Sequence, residues 1–304
     1  MDIRHLRYFV AVAEEGHVTR AAERLGIQQP PLSQQIQALE RELDVLLFRR
    51  KPRGVELTDA GDSLLVDARR ILADVENTLA KVQRTARGEQ GRIAVGFTSS
   101  APFHPFIPTV LRTFREDYPL VSVMLEEDGT AELVAALSSE QLDAAFIRSP
   151  VQTGDGLTVH ELLAERMLVA LPSGHRLAAD GDTGPIVLTD LAEEPFILYR
   201  RASGPGLYDT ITGACHRAGF MPRIEQEAPR IVATLNLVAS GFGVTIVPES
   251  LCAMRLAGVT YRAIGEAEQL VAPISLACRT NDHSAAARRF VDVVRHAARG
   301  KARH

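Results

Sequence analysis

The sequence is poor in several features that would indicate other classes of protein. It has no tryptophan and 5% aromatic residues, and its cysteines, Cys215, Cys252 and Cys278, stand far apart. They form no C-x-x-C pair or zinc pattern, so each is expected to be a small buried residue in a reducing compartment. No apolar run approaches the ~18 residues of a membrane helix, and the charged start of the chain is unlike a secretory signal. We therefore expect a cytoplasmic protein without membrane contact.

Signatures of catalysis and of cofactor binding are missing as well. The chain contains no G-x-S-x-G, H-E-x-x-H, P-loop or G-x-G-x-x-G pattern, and its nine histidines are dispersed without metal spacing. Residues 241–244 (GFGV) lead into a predicted strand instead of opening a helix, so they are not a phosphate loop. The sequence thus predicts that the protein is not an enzyme and has no cofactor or metal.

Residues 17–43 predict two short helices joined by a tight turn. Thr19 is a suitable N-cap for the first helix, Gly26 ends it, and two adjacent prolines fit only the first turn of the second. The apolar residues that follow recur at helical spacing, so one face of the second helix is buried. Its opposite face is polar but mostly uncharged, which suits hydrogen bonding to base edges in DNA. The candidate DNA contacts here are Thr19, Gln28, Gln29, Pro30, Pro31, Ser33, Gln34 and Gln37.

A cationic hairpin follows the two helices. Residues 46–58 predict a strand, a turn and a strand, and an amphipathic helix over 2–14 supplies a third helix. These elements favour a winged helix-turn-helix over an ordinary helical hairpin. Because residues 1–58 carry nine Lys plus Arg against eight Asp plus Glu, binding is expected to depend on one basic face and on dimerisation. The candidate phosphate contacts at the turn are Arg49, Arg50, Lys51 and Arg53.

These residues carry a resemblance to LysR-type transcriptional regulators, in the stretch MDIRHLRYFVAVAEEGHVTRAAERLGIQQPPLSQQIQALERELDVLLFRR…RGVELTDAG. The match is dense over residues 1–61, and the remainder is similar to that family's effector domain in order and length. Glutamine stands at Gln28 where serine is frequent and at Gln34 where arginine is frequent, and Asp44 replaces a common glycine. Within the family, the adjacent prolines and the effector-domain pattern resemble regulators of aromatic-acid and catechol catabolism.

A long helix is predicted from the N-cap Thr58 to about residue 87. Apolar residues recur along it close to coiled-coil spacing, with charges on either side. Little of the preceding sequence could cover this stripe, so we predict that it pairs with the same helix of a second chain and spaces two recognition helices for a two-fold operator. Residues 88–91 (GEQG) are predicted to be a short hinge. The stripe consists of Leu64, Ala68, Ile71, Val75, Leu79 and Val82.

Beyond residue 91 strands and helices alternate, which predicts parallel sheets covered by helices on both faces. The resemblance implies two lobes, residues 92–162 with 268–304 and residues 163–267, like a periplasmic solute-binding protein. The expected fold class is therefore α/β. It comprises an N-terminal winged helix-turn-helix domain (1–58), a linker or dimerisation helix with its hinge (59–90) and a C-terminal two-lobed α/β effector domain (91–304).

Ligands of such sheets bind beyond the carboxyl ends of strands, near helix N-termini. Residues at these places offer hydroxyl, backbone N–H or guanidinium groups for one or two carboxylates, although capping or a surface ion pair is the alternative for each. In the resembling aromatic-acid regulators, the positions matching Ser100, Thr130, 205–207 and 230–231 lie around the effector. The candidate effector-binding residues are Ser99, Ser100, Thr130, Arg148, Ser203, Gly204, Pro205, Leu207, Arg230 and Ile231.

The sequence as a whole predicts a ligand-responsive, DNA-binding transcriptional regulator. Its recognition helix, 30–43, would enter the major groove, and a small organic acid, a carboxylate or aromatic acid, would bind between the lobes. The resemblance implies double-stranded operator DNA as a partner, dimers through residues 59–87, tetramers through the effector domains, and RNA polymerase as a further candidate partner. The alternative is a two-lobed small-acid-binding protein or enzyme without a DNA role.

Overall fold

The computed structural model describes residues 1–52, 54–148, 156–178, 184–201, 205–265 and 270–301. The chain divides into two compact units, Met1–Arg84 and Thr85–His304. Each unit has hydrophobic cores of its own. The predictions made for Arg53, Ser203 and Gly204 fall outside the described residues.

The first unit contains the predicted helix-turn-helix and wing. Its elements are α1 (Ile3–Glu15), α2 (Val18–Arg24), α3 (Gln29–Leu43), β1 (Phe48–Lys51), β2 (Gly54–Leu57) and most of α4 (Asp59–Ala86). The strands β1 and β2 pair antiparallel. Fully buried side chains from three helices, Phe9, Leu32, Leu39 and Ala68 among them, form the core that fixes the position of α3.

Two local predictions for this unit are wrong. The N-cap of α2 is His17, whose Nδ1 accepts the backbone N–H of Thr19 at 3.2 Å, so Thr19 lies exposed within the first turn. The helix begins two residues earlier than a cap at Thr19 would require. Three of the wing cations, Arg49, Arg50 and Lys51, belong to β1 itself instead of the turn.

Only part of the apolar stripe on α4 is exposed to solvent. Thr58 caps this helix as predicted, since its Oγ1 accepts the N–H of Gly61 at 3.0 Å. In the first half of the helix, Ala68 is fully buried and Ile71 packs against the core of the first unit, so the expectation that little of the preceding sequence covers the stripe is wrong there. In the second half, Leu79 and Val82 are 55% and 62% exposed.

The second unit alternates strands and helices, but its main sheet is mixed where a parallel one was predicted. β3 is parallel to β4 and β5, whereas β11 is antiparallel to β5 and β6. The elements are β3 (Gln90–Phe97), α5 (Phe106–Asp117), β4 (Leu120–Glu127), α6 (Thr130–Ser138), β5 (Ala144–Ile147), β6 (Leu157–Pro172), β7 (Pro195–Tyr199), α7 (Pro205–Arg217), β8 (Arg223–Ala228), α8 (Ile231–Ala239), β9 (Thr245–Pro248), β10 (Val259–Ala263), β11 (Val271–Arg279) and α9 (Ala285–Lys301).

The long strand β6 belongs to both lobes. It pairs with β11 as far as Arg166, opposite Val271, and from Met167 it pairs with β9 and β10 instead. Most side chains in the first half of β6 and along β10 are half-buried without clear alternation, so the sequence pattern indicates these strands only weakly. One continuous strand therefore connects two separate cores.

The passage from α4 to β3 is tighter than the predicted hinge. β3 already begins at Gln90, and Gly88 has a left-handed φ of +71°. A Cβ at Gly88 would lie 2.5 Å from the carbonyl carbon of Ala285, at the start of α9, so only glycine fits. Pro108 lies in the first turn of α5, where proline is tolerated.

Cysteine burial and helix length agree with the composition. Cys215 and Cys278 are buried, Cys252 is half-buried, and no disulfide joins any two of them. Within the described ranges, no helix is long and apolar enough to cross a bilayer.

Candidate ligand cleft and DNA-binding surface

A cavity that is partly open to solvent lies in the second unit between the two lobes. It is placed where β3, β5 and β7 end and where α6 and α8 begin, as expected for an α/β ligand site. Pro205 begins α7, two residues before the lining residue Leu207. The predicted residues that line the cavity are Ser99, Ser100, Thr130, Arg148, Leu207, Arg230 and Ile231. Three further lining residues, Thr98, Tyr199 and Pro229, were not predicted from the sequence.

Three side chains that line the cavity have buried polar atoms without a partner in the described chain. They are Oγ1 of Thr98, Nε of Arg148 and the hydroxyl of Tyr199. These residues are 8%, 2% and 8% exposed. A buried polar atom without a hydrogen bond costs about 1–3 kcal/mol, so three around one cavity indicate a place that a polar ligand completes.

Arg148 is tied to the junction of the lobes. Its Nη2 donates to Oε1 of Glu165 at 2.6 Å and to the carbonyl of Ser100 at 3.2 Å. Glu165, in β6, also accepts the backbone N–H of Ser250 at 2.6 Å, through Oε2. Burial lowers the pKa of the Arg148 guanidinium and the carboxylate of Glu165 opposes that shift. The charge of Arg148 is therefore already paired, and its Nε is a buried donor without a partner among the described residues.

The hydroxyl of Tyr199 is held in its neutral form. Burial raises the pKa of Tyr199 well above its usual value, while the positive charge of Arg148 acts in the opposite direction. The hydroxyl is thus a hydrogen-bond donor throughout the neutral pH range.

Two helix starts face the same cavity. Thr130 and Ile231 are the first residues of α6 and α8, and both line it. Neither N-cap residue, Gly129 or Arg230, makes a side-chain capping bond within the described structure. First-turn N–H groups and the positive ends of both helix dipoles therefore favour an anion.

Arg230 is also paired, but at the surface. Its Nη1 donates to Oε1 of Glu127, the last residue of β4, so this ion pair joins the start of α8 to the opposite lobe. The two side chains are 56% and 36% exposed.

The polar face of α3 is presented to solvent on the first unit. Gln28, Gln29, Gln34 and Gln37 are exposed, and Ser33 is half-buried. Nε2 of Gln29 lies 3.4 Å from Oγ of Ser33, so these two neighbours can act together on one base pair. Pro30 and Pro31 are exposed in the first turn and lack N–H groups, which limits backbone contacts to phosphate at this helix start.

The cations of β1 differ in their partners. Arg49 lies 3.7 Å from Asp59, and Lys51 pairs with Glu56 across the hairpin. Arg50 is exposed and has no ion pair to any described residue. Arg50 is thus the wing cation most readily available to a phosphate.

A winged helix-turn-helix unit followed by a two-lobed unit with a polar cleft defines a ligand-responsive DNA-binding protein. The model of the LysR substrate binding domain matches residues 86–299, and that of the bacterial regulatory helix-turn-helix protein, lysR family, matches residues 3–62. The chain therefore belongs to the LysR family of transcriptional regulators.

Similar proteins cover almost the whole chain. It is 39% identical to the HTH-type transcriptional regulator BudR of Raoultella terrigena, over 96% of this chain and 100% of that protein. Identity to AlsR of Bacillus subtilis is 37%, over 96% and 95%. The crystal structure of full-length CbnR complexed with its target DNA superposes with a TM-score of 0.83 at 32% identity, covering 98% and 100% of the two chains. These relatives favour a regulator over the enzyme alternative.

Proposed function

We propose that the protein controls transcription by binding operator DNA through α3 and the wing, in response to a small organic acid bound in the cleft. The regulator class is a family property; the DNA contacts and the acid are the proposal. The proposal of an acid effector rests on one observation: three unpartnered buried polar atoms and two helix starts converge on one cavity. An aromatic acid is one candidate within this class.

The DNA contacts that we propose divide by chemistry. Gln29 and Ser33 read base edges, because amide and hydroxyl groups on one exposed helix face match the hydrogen-bonding pattern of the major groove. Arg50 and its neighbours on β1 contact phosphates, which position the protein without reading sequence. The CbnR structure, which contains target DNA, supports this mode of binding for a chain of similar fold.

Self-association through α4 is part of the proposal. The second half of the stripe, the half-buried Val75 and the exposed Leu79 and Val82, lies beyond the part that the first unit covers. Pairing of this half with a second copy would bury apolar side chains and supply two recognition helices for a symmetric operator. Tetramers through the effector domains remain a prediction.

The response to the acid follows from the two lobes. A ligand that contacts Thr130 on one lobe and Ile231 on the other stabilises the arrangement in which both helix starts face it. Such a ligand shifts the population of two states only if it binds them with unequal affinity. Binding energy at the cleft is thereby converted into a change in the DNA-bound assembly.

The DNA half of the proposal is tested with Gln29→Ala and Ser33→Ala. Fragments that the purified chain selects from genomic DNA are compared with shuffled duplexes of equal length by fluorescence anisotropy at several salt concentrations. Each variant should lose about 1–3 kcal/mol on the selected fragment and little on the shuffled one, and wild-type affinity should fall steeply with salt. Gln83→Ala, an exposed glutamine on α4, is the matched control. Equal loss on both duplexes contradicts base reading, and absence of DNA binding contradicts the function.

The effector half is tested by thermal shift of the full chain with a panel of small acids. A ligand of the folded state raises the melting temperature by mass action. Thr130→Val and Ser100→Ala should abolish the shift and the DNA response to the acid while leaving DNA affinity intact. Retention of the shift in both variants contradicts this cleft as the site.

A further inference from the structure

The charges around the cleft cancel in pairs. The charged residues that line it are Arg148 and Arg230, and each makes an ion pair with a glutamate, Glu165 and Glu127 respectively. No other charged side chain of the described residues lines the cavity. A ligand therefore meets no uncompensated side-chain charge.

The remaining positive potential comes from the two helix starts. An α-helix N-terminus acts as roughly half an elementary charge, so α6 and α8 together offer about one. The unpartnered groups of Arg148 and Tyr199 add hydrogen-bond donors, and the hydroxyl of Thr98 can donate or accept. This capacity matches a single carboxylate.

Glu127 determines the charge that the second carboxylate of a diacid ligand would approach at Arg230. Its side chain holds the guanidinium of Arg230 at the edge of the cavity, and two further exposed acids, Glu126 and Asp128, flank it in sequence. A diacid that reached Arg230 would have to displace the carboxylate of Glu127. The same guanidinium without Glu127 would be an open partner for a second carboxylate.

We infer that Glu127 is a specificity-determining residue, which restricts the cleft to acids with one negative charge and excludes diacids. The inference rests on the proposed small-acid effector and adds the charge that the effector carries. Glu127 acts through its ion pair with Arg230. It therefore excludes diacids without itself contacting the monoacid that binds.

The test uses pairs of probes that differ by one carboxylate: acetate and malonate, propanoate and succinate, benzoate and phthalate. Titration calorimetry with the full chain at neutral pH should give binding to the monoacid of at least one pair and at least about tenfold weaker binding to its diacid. Glu127→Gln should strengthen diacid binding about tenfold and change monoacid affinity less than about threefold.

Two further variants identify the cause. Glu126→Gln removes a neighbouring exposed carboxylate that makes no ion pair with Arg230 in the described structure, and it should change neither affinity. The double variant Glu127→Gln, Arg230→Gln should lose the gained diacid binding, since the gain requires a free guanidinium.

The outcomes separate the two proposals. A wild-type chain that binds both members of a pair equally, or a Glu127→Gln variant that leaves their ratio unchanged, contradicts the specificity role alone. A diacid gain that persists in the double variant also contradicts it. A wild-type chain that binds none of the six probes contradicts the small-acid effector, and the role of Glu127 with it.

Discussion

The two arginine–glutamate pairs of the cleft have the same chemistry in opposite surroundings. The side chains of Arg148 and Glu165 are 2% and 8% exposed, whereas those of Arg230 and Glu127 are 56% and 36% exposed. A buried pair loses several kcal/mol when one partner is removed, because the other charge stays uncompensated away from water. An exposed pair contributes about 0–1 kcal/mol. The comparison shows that the buried pair stabilises the junction of the lobes. The exposed pair, in our proposal, determines which ligand charge the cleft accepts.

The largest effect is expected for Glu165→Gln. The change leaves the guanidinium of Arg148 buried without a counter-charge and weakens the bonds to Ser250, so the second unit should lose about 3–5 kcal/mol of stability. Urea unfolding of the full chain, followed by circular dichroism, measures this loss. A loss below about 1 kcal/mol would place the pair in the same class as Arg230–Glu127 and end the contrast.

An intermediate effect of mixed sign is expected for Tyr199→Phe. Removal of an unpartnered buried hydroxyl should stabilise the ligand-free chain by about 1 kcal/mol. It should also lower the affinity for the effector about 3–10-fold, because the ligand loses a hydrogen-bond donor. The same unfolding experiment and calorimetry with the effector measure the two changes. Tyr118, which is half-buried at the end of α5, supplies the control variant. Tyr118→Phe should change neither the affinity for the effector nor the order of affinities for different acids. Destabilisation by Tyr199→Phe would indicate that the hydroxyl has a partner in the free protein.

The smallest effect on stability is expected for Glu127→Gln, the chemical match of Glu165→Gln. The free energy of unfolding should fall by less than about 1 kcal/mol, and the difference from wild type should disappear at high salt, since an exposed pair is screened. The same variant should have the largest effect on diacid binding. A loss comparable to that of Glu165→Gln would assign Glu127 a structural role.

The sequence located one member of each pair but not its partner. Arg148 and Arg230 were predicted because strand ends and helix starts converge in α/β folds. Their glutamates lie 17 and 103 residues away along the chain, and only the tertiary fold brings them together. Tyr199 was missed for a similar reason: PFILY indicates a buried strand, and nothing in that pattern gives the position of the last hydroxyl.

The helices of the first unit were easier to predict because their signals are local. The adjacent prolines fix the start of α3, and Thr58 fixes the start of α4. Where two local signals compete, the prediction failed: His17 and Thr19 can both cap, and the longer side chain caps from the earlier position. The left-handed Asp44, with φ of 53°, explains why glycine is frequent at that place in the resembling family.

The contact between Gly88 and the start of α9 has a mechanical consequence. Only a short bend separates the last turn of α4 from β3. The backbone of Ala285 leaves no room for a side chain at Gly88 in this bend. We therefore expect a displacement of the sheet that contains β3 to move Thr85 and Ala86 with it. Lengthening this bend by a few flexible residues is therefore expected to weaken the response of DNA binding to the acid that we propose as effector, while the acid itself still binds.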